Sequence, residues 1–146
     1  MVKIRFKKLH PNAVIPTRAT EGSSGYDITA IDMKHSTDLE KGVYIEYRTG
    51  LSFEIPKGYE GVIRPRSSLR KKNVEFMLRS SPATIDSDYR GEVVITFTKP
   101  RRGPVYAPGD RVAQLVIQKT LDVEFEEVEE LTETERGNQG FGSTGS

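Results

Sequence analysis

Two carboxylates stand close together in residues 85–91, which read Ile-Asp-Ser-Asp-Tyr-Arg-Gly. Asp86 and Asp88 are candidates for a general base, because a carboxylate can accept the proton of an attacking water. The ring of Tyr89 could pack on a flat substrate. Aspartates before a glycine are also common turn formers, so these residues alone leave a structural role equally open.

Candidate anion-binding groups lie in two further segments. Residues 64–69 combine guanidinium groups with hydroxyls at a predicted helix start, where free N–H groups and the helix dipole favour anions. An ordinary N-cap beside a surface arginine explains the same residues equally well. Gln114 lies on an otherwise apolar strand, and its amide needs a polar partner, either a ligand or a network in the core.

Asp27, at the start of another predicted strand, is the candidate metal-binding residue. Carboxylates without nitrogen or sulfur partners suit Mg²⁺, which keeps most of its waters and is often held by few protein ligands plus substrate phosphates. The absence of cysteine excludes thiolate metal sites and thiol catalysis, and two histidines, His10 and His35, are too few for a triad or a histidine metal site.

Residues 136–146 are rich in glycine but have neither the lysine nor the following helix of a P-loop. They predict a mobile arm that could close over a base with phosphates. Arg136 would offer a cation, Phe141 a flat apolar surface, and Ser143 and Thr144 hydroxyl donors. A disordered Gly/Ser tail is the alternative.

The elements that must position these residues are mostly strands. Period-two alternation and closely spaced turn signals predict an all-β fold, a sandwich or jelly-roll-like barrel. One short helix is predicted from Ser67 or Ser68 to about Asn73. The alternation ends near residue 130, which predicts a β-barrel domain over 1–130 and a flexible C-terminal arm over 131–146. Strands are predicted over residues 43–48, 51–55, 92–98, 112–117 and 123–128.

Composition narrows the class of protein. A length of 146 residues fits one domain, and the absence of a long apolar run or a signal-peptide core predicts a soluble, cytoplasmic protein that does not bind a membrane. A net charge of +1 argues against a nucleic-acid partner. The basic segments 70–72 and 99–102 and the acidic segment 124–135 are expected to be solvated faces.

Taken in order, these segments resemble the five motifs of the trimeric dUTPase family. The motifs match residues 23–30, 65–69, 84–92, 109–115 and 136–145, so the resemblance spans nearly the whole chain. It implies a jelly-roll-like homotrimer with three sites, each assembled from three chains. The implied reaction is Mg²⁺-dependent hydrolysis of dUTP at the α-phosphate to dUMP and pyrophosphate, which keeps uracil out of DNA and supplies dUMP for thymidylate synthesis.

The resemblance also implies a role for each residue. Asp86 would hold and deprotonate the water, Tyr89 would pack on the deoxyribose, and Asp27 would support Mg²⁺ through water together with substrate phosphates. The implied phosphate-binding residues are Arg66, Ser67, Ser68 and Gln114 from the body and Arg136, Ser143 and Thr144 from the arm. The implied base-binding residues are Ser80, Thr84, Ile85, Val94, Phe141 and Gly142, with Phe141 stacking on uracil.

Two positions depart from the usual family pattern. Ser80 and Ala83 stand where asparagine and glycine are common, and Ala83 would cost about 1 kcal/mol if its φ had to be positive. Three other functions stay open: a dCTP deaminase of related fold, a nucleotide-sensing or partner-binding regulator, and a β-barrel nucleic-acid binder that uses the basic segments. Products formed from dUTP and dCTP would distinguish a dCTP deaminase from a dUTPase. A nucleic-acid binder is poorly supported by the net charge of +1.

Overall fold

The computed structural model describes residues 1–38, 40 and 42–142 of the chain. Within these residues it contains nine β-strands and one 3₁₀ helix, which confirms the predicted all-β fold. The strands are β1 (Arg5–Lys8), β2 (Tyr26–Thr29), β3 (Asp32–Ser36), β4 (Tyr44–Arg48), β5 (Leu51–Glu54), β6 (Tyr59–Arg64), β7 (Ala83–Ile85), β8 (Val94–Thr98) and β9 (Arg111–Lys119). They form three antiparallel sheets, β1-β5, β2-β9-β6-β7 and β3-β4-β8.

The core lies between the sheets and contains a cluster of four aromatic rings. Alternation along β4 turns Ile45 and Tyr47 inward, as the sequence predicts. Tyr47 meets Phe97 edge to face with ring centroids 5.6 Å apart, and Phe76 stacks on Phe97 at 4.5 Å. Tyr106 completes the cluster, and its backbone carbonyl accepts a 2.7 Å hydrogen bond from the Tyr47 hydroxyl. Burial is the main cause that raises the pKa of Tyr47 above its ordinary value, so this hydroxyl stays a neutral donor.

β9 is the strand that organises the candidate site. It pairs with β2 on one side and with β6 on the other, and its residues Val112, Ala113 and Leu115 are buried. Gln114 lies opposite Asp27 of β2 and opposite Arg64 of β6. Residues from the first and fourth predicted motifs therefore share one row across the sheet with Arg64, which directly precedes the second motif.

The single helix follows β6 directly. It begins at Ser67, as predicted, but it ends at Lys71 and is a 3₁₀ helix. Its hydrogen bonds run from the Leu69 amide to the Arg66 carbonyl at 3.0 Å and from the Lys72 amide to the Leu69 carbonyl at 2.9 Å. These bonds link residues three apart, as in the short runs typical of a 3₁₀ helix, and not four apart as in an α-helix. The helix holds residues 66–68 close to the end of β6.

The prediction of a strand over residues 123–128 is wrong for the single chain. No strand or helix is present in the described part of the chain after Lys119. The apolar side chains of this segment face solvent: Phe125 is 94% and Val123 67% exposed. A strand requires a partner edge, and this segment leaves the body after the Thr120 amide donates to the Gly58 carbonyl at 2.9 Å. Across the described residues, no helix combines the length and the apolar character needed to cross a bilayer.

Candidate active site

A buried carboxylate joins two arginines on the face of the β2-β9-β6-β7 sheet. Asp27, only 8% exposed, accepts hydrogen bonds from Arg66 Nε at 2.8 Å and Nη2 at 3.4 Å. Arg111 Nη1 donates to Asp27 Oδ2 at 3.3 Å. Both carboxylate oxygens therefore contact a guanidinium, which compensates the cost of burying the charge. We call Asp27, Arg66, Ser68, Arg111 and Gln114 the arginine cluster.

Ser68 and Gln114 complete this cluster at the end of β6. Arg66 Nη1 donates to Ser68 Oγ at 3.2 Å, and Gln114 Nε2 donates to the Pro65 carbonyl at 3.0 Å. Gly25 makes room for the glutamine, because a Cβ at position 25 would stand 2.1 Å from Gln114 Oε1. The Gln114 amide thus has the polar partner that the sequence required. Ser67, which precedes Ser68 in the chain, is exposed.

The two aspartates lie in a loop after β7, which we call the aspartate loop, residues 86–91. The Tyr89 amide donates to the Asp86 carbonyl at 3.1 Å, so the predicted turn is present. The Tyr89 hydroxyl donates to the Glu92 carbonyl at 3.1 Å, and Gly91 lets the ring pass because a Cβ there would stand 2.3 Å from that hydroxyl. Asp86 and Tyr89 are both exposed and face solvent.

Glu92 anchors the aspartate loop to the body. Its carboxylate accepts a 2.9 Å hydrogen bond from the Gly50 amide and a 3.2 Å bond from Arg48 Nε. Ser52 Oγ also donates to the Arg90 carbonyl at 2.5 Å. The loop is therefore held from below by two strands while Asp86 remains open to a ligand.

Within one chain the aspartate loop and the arginine cluster are far apart. Gln114 is opposite Arg64 of β6, whereas Ile85 is opposite Gly61 of the same strand. Three residues along a strand and two strand spacings across give a separation of about 14 Å between Gln114 and Ile85. β7 runs away from the Arg64 row, so Asp86 lies further still. The single chain does not bring Asp86 to the phosphate-binding candidates.

The candidate base-binding residues lie along the entry to β7 and the start of β8. Ser80 has a φ of +53°, and Arg79 before it is tied to β8 by a 2.8 Å bond from its amide to the Thr96 carbonyl. Thr84 and Ile85 are in β7, and Val94 begins β8. Ala83 belongs to β7 and its φ is not positive, so the backbone strain considered for Ala83 in the sequence is absent. Ser80 is the residue near the predicted base site that has a positive φ and therefore carries this strain.

The described part of the arm forms only short-range hydrogen bonds. Arg136 Nε donates to the Gln139 carbonyl at 2.8 Å, and the Gly137 amide donates to Thr134 Oγ1 at 3.1 Å. Phe141 is fully exposed, and Gly142 has a φ of +84°. Ser143 and Thr144 lie outside the described residues.

The described side chains do not assemble a metal site of their own. They include no group of three or more acidic or histidine side chains placed to hold an ion. Asp27, the candidate ligand, already contacts Arg66 and Arg111 through both oxygens. Direct coordination of Mg²⁺ by this chain alone therefore does not fit the structure, and a cation here would need the oxygens of a bound phosphate chain.

Comparison with known proteins adds a decisive observation. The dUTPase family model matches residues 11–145, nearly the full chain. The chain belongs to the dUTPase family. The deoxyuridine 5'-triphosphate nucleotidohydrolase of Helicobacter pylori strain J99 is 44% identical over 149 aligned residues, which cover 99% of this chain and 97% of the relative. The resemblance drawn from the five motifs is thereby confirmed.

Solved dUTPase structures share the fold. The dUTPase of Staphylococcus bacteriophage 80alpha with dUpNHpp has a TM-score of 0.80 and 25% identity, with 99% of each chain covered. A mutant of the phage phi11 dUTPase from S. aureus, described with a structural Mg(II) ion, has a TM-score of 0.69 and 22% identity, with 88% of this chain and 97% of that chain covered. They support the predicted jelly-roll-like dUTPase fold.

Two residues in the site escaped the sequence reasoning. Arg111 stands inside the fourth motif, but nothing in its neighbours indicates that it binds the carboxylate of Asp27, 84 positions away. Glu92 directly follows the aspartate loop, and its bonds to Arg48 and Gly50 are equally long-range. Only the pairing of distant strands reveals these contacts.

Proposed function

We propose that this chain hydrolyses dUTP to dUMP and pyrophosphate. The observation that carries the proposal is membership of the dUTPase family over nearly the whole length, and it is supported by five family-like motifs in the same order along the sequence. Phosphoryl transfer depends mainly on positioning and on electrostatic stabilisation of the phosphate oxygens. The arginine cluster offers guanidinium and hydroxyl donors, and the aspartate loop offers an exposed carboxylate.

Asp86 is the proposed general base. It would hold a water in line with the α-phosphorus and accept its proton as the water oxygen attacks. The bond from the α-phosphorus to the oxygen that bridges the α- and β-phosphates would then break, and pyrophosphate would leave. Its side chain is exposed and free to approach a substrate. Tyr89, whose ring is fixed by its bond to the Glu92 carbonyl, would pack on the deoxyribose and leave no room for a 2′-hydroxyl.

The phosphate chain would meet donors from the body and from the arm. The proposed donors are Arg66, Ser67, Ser68 and Gln114 in the body and Arg136, Ser143 and Thr144 in the arm. The contacts of Arg66 favour a role in phosphate binding, because Asp27 fixes one edge of its guanidinium while Nη1 faces Ser68. Rigid donors lose little entropy when they bind a ligand.

The base would lie against the strand edges near Ser80, Thr84, Ile85 and Val94. Backbone N–H and C=O groups there can distinguish uracil from cytosine, because a mismatched donor leaves a buried polar group unpaired. Thymine would be excluded by its methyl group. Phe141 would stack on uracil, with Gly142 allowing the arm to approach closely.

Mg²⁺ is the proposed cofactor, carried by the phosphates of the nucleotide. When bound, it would neutralise charge on the phosphate oxygens. Asp27 would act on it through water at most, since Arg66 and Arg111 contact both of its oxygens. Asp27 would chiefly hold the two arginines in position.

A homotrimer is the proposed assembly, because the site needs residues from more than one chain. The base and the phosphate donors must meet around one phosphorus, with reacting atoms about 3–3.5 Å apart. The backbone separation of about 14 Å or more within a chain favours a site shared between chains. A second chain could bring its arginine cluster to the aspartate loop of the first, and an arm could then cover both.

The exposed segment after β9 offers a means of association. Val123, Phe125 and Val128 are separated by glutamates, and all three face solvent. β1 pairs only with β5 among the described strands, so its other edge is open, and it carries Arg5, Lys7 and Lys8 beside an apolar groove of about 560 Å³. We expect the acidic segment of a second copy to pair with this basic edge, because both charge and apolar pattern are complementary.

Hydrolysis is tested by incubating the protein with dUTP, dCTP, dTTP and UTP, with and without Mg²⁺, and resolving the products. Formation of dUMP and pyrophosphate from dUTP, with little turnover of the others, is the expected result. Deamination of dCTP would support the deaminase alternative instead. Nucleotide binding without turnover of any substrate would support the regulator.

The shared site is tested by mixing two inactive variants. Asp86→Asn removes the base, and Arg66→Lys keeps the charge beside Asp27 but removes the guanidinium fork. If the two groups come from different chains, random mixing in a trimer should restore about one quarter of the sites. Mixed trimers verified by mass that show no recovered activity would place Asp86 and Arg66 of one chain in the same site.

Two further parts of the prediction stay proposals. We divide the chain into a barrel domain, residues 1–130, and an arm, residues 131–146, although the part without strands already begins after Lys119. Proteolysis that removes the arm and leaves a folded barrel would support the division. A cytoplasmic location rests on composition alone and stays a prediction.

A further inference from the structure

The hydroxyl of Tyr106 connects the aromatic core to the arginine cluster. Tyr106 is 4% exposed and meets Phe76 and Phe97 edge to face at 5.5 and 5.7 Å. Its Oη lies 3.2 Å from Ser68 Oγ. The ring is packed in the core against Phe76 and Phe97, so Oη reaches Ser68 from a fixed position.

The surroundings of Ser68 restrict how its hydroxyl can be used. A serine hydroxyl has one hydrogen to donate and two lone pairs that can accept. Arg66 Nη1, 3.2 Å away, can only donate, so it occupies one of the two accepting positions. The hydrogen of Ser68 can then point either to Tyr106 or outward to a ligand.

We propose that Tyr106 is a positioning residue whose hydroxyl donates to Ser68 Oγ and thereby directs the Ser68 hydrogen to a phosphate oxygen of the nucleotide. With Arg66 and Tyr106 both donating, the two lone pairs of Ser68 are used and its hydrogen has no acceptor left inside the cluster. An anionic phosphate oxygen is a stronger acceptor than a phenol, so binding selects this arrangement. The inference rests on the proposed function, in which Ser68 binds the phosphate chain.

Phenylalanine at position 106 removes the donor and keeps the ring. The ring contacts with Phe76 and Phe97 remain, and so does the approach of Lys72 Nζ, 5.0 Å from the ring centroid. Tyr47→Phe is a matched control because it removes another buried phenol of the same cluster, one that bonds to the Tyr106 carbonyl and not to Ser68.

The test is a double-mutant cycle on binding of the non-hydrolysable analogue dUpNHpp, measured by calorimetry on wild type, Tyr106→Phe, Ser68→Ala and the double variant. Tyr106→Phe should weaken binding about 3- to 10-fold when Ser68 is present, because the nucleotide must then order a Ser68 hydroxyl that Tyr106 no longer holds in place. It should change binding less than about 1.5-fold in the Ser68→Ala background, because the acceptor is gone. Tyr47→Phe should lower the Tm and leave the Kd of the analogue within about twofold of wild type.

An equal loss in both backgrounds, or no loss when Ser68 is present, would overturn the role of Tyr106. So would a Tyr47→Phe variant that weakens binding as much as Tyr106→Phe, since loosening of the core would then explain both. If the wild type still hydrolyses dUTP, any of these results overturns the role of Tyr106 and leaves the proposed function standing. A wild-type chain that neither binds the analogue nor hydrolyses dUTP refutes both.

Discussion

Gly25→Ala tests whether the position of Gln114 depends on a missing side chain in the first motif. A Cβ at residue 25 would stand 2.1 Å from Oε1, 2.9 Å from Cδ and 3.0 Å from Cβ of Gln114. The outer atoms can rotate away, but the glutamine Cβ is fixed by β9. Gln114 must therefore swing out and release the Pro65 carbonyl, to which it now donates at 3.0 Å.

The expected cost follows from this crowding. Overpacking of this kind typically costs about 1–3 kcal/mol, and a net hydrogen bond about 1 kcal/mol. Replacing glycine also stiffens the unfolded chain, which stabilises by about 0.4–1 kcal/mol. Gly22→Ala is the matched control, because it has the same unfolded-state effect and a Cβ there would have nothing within 4 Å. The difference between the two variants thus measures the contact with Gln114.

Thermal unfolding and steady-state kinetics check the prediction together. At about 3 °C per kcal/mol for a chain of this length, overpacking and the lost hydrogen bond together should make Gly25→Ala unfold about 6–12 °C below Gly22→Ala. Its kcat/KM for dUTP should fall about 3- to 10-fold if Gln114 binds phosphate. In a Gln114→Ala background the Tm gap should largely close. Equal Tm values for the two alanine variants would refute the reasoning.

Three further predictions concern the base, the arm and a strained serine. Asp86→Asn should lower kcat about 10²- to 10⁴-fold while the Kd for dUpNHpp changes little, and near-normal turnover would remove Asp86 from the mechanism. Deleting residues 136–146 should abolish most hydrolysis yet leave the Tm nearly unchanged, because the described arm forms only local bonds; a large fall in Tm would contradict this. Ser80→Gly should be neutral or stabilise the protein by up to about 1 kcal/mol, because residue 80 has a positive φ, whereas Ala83→Gly in β7 should destabilise it by about 0.5–1 kcal/mol. Urea titration of both variants measures their free energies of unfolding, and a Ser80→Gly variant less stable than Ala83→Gly would contradict the prediction.

Local pattern predicted much of the fold. The alternation in residues 43–48 corresponds to β4, and the helix begins at Ser67 as predicted, although its N-cap is Arg66 and no serine hydroxyl caps it. The alternation in residues 123–128 failed because periodicity reports which faces a strand could bury, not whether a partner edge exists. In the single chain that partner is missing, and Phe125 stays exposed.

The sequence by itself determined the family and the chemical types at the site. Asp86 in a turn, the guanidinium and hydroxyls of residues 66–68, and the glycine-rich arm are local features, and five such motifs in one order identify a dUTPase. Only the tertiary structure decided which of these groups meet. Strand register places Asp27 beside Arg111 and near the end of β6, where Arg66 follows, and it separates Asp86 from all of them. The packing of Tyr106 in the core, outside the strands, brings its hydroxyl to Ser68. Such contacts depend on pairing between residues far apart in sequence, and no local pattern of residues encodes that pairing.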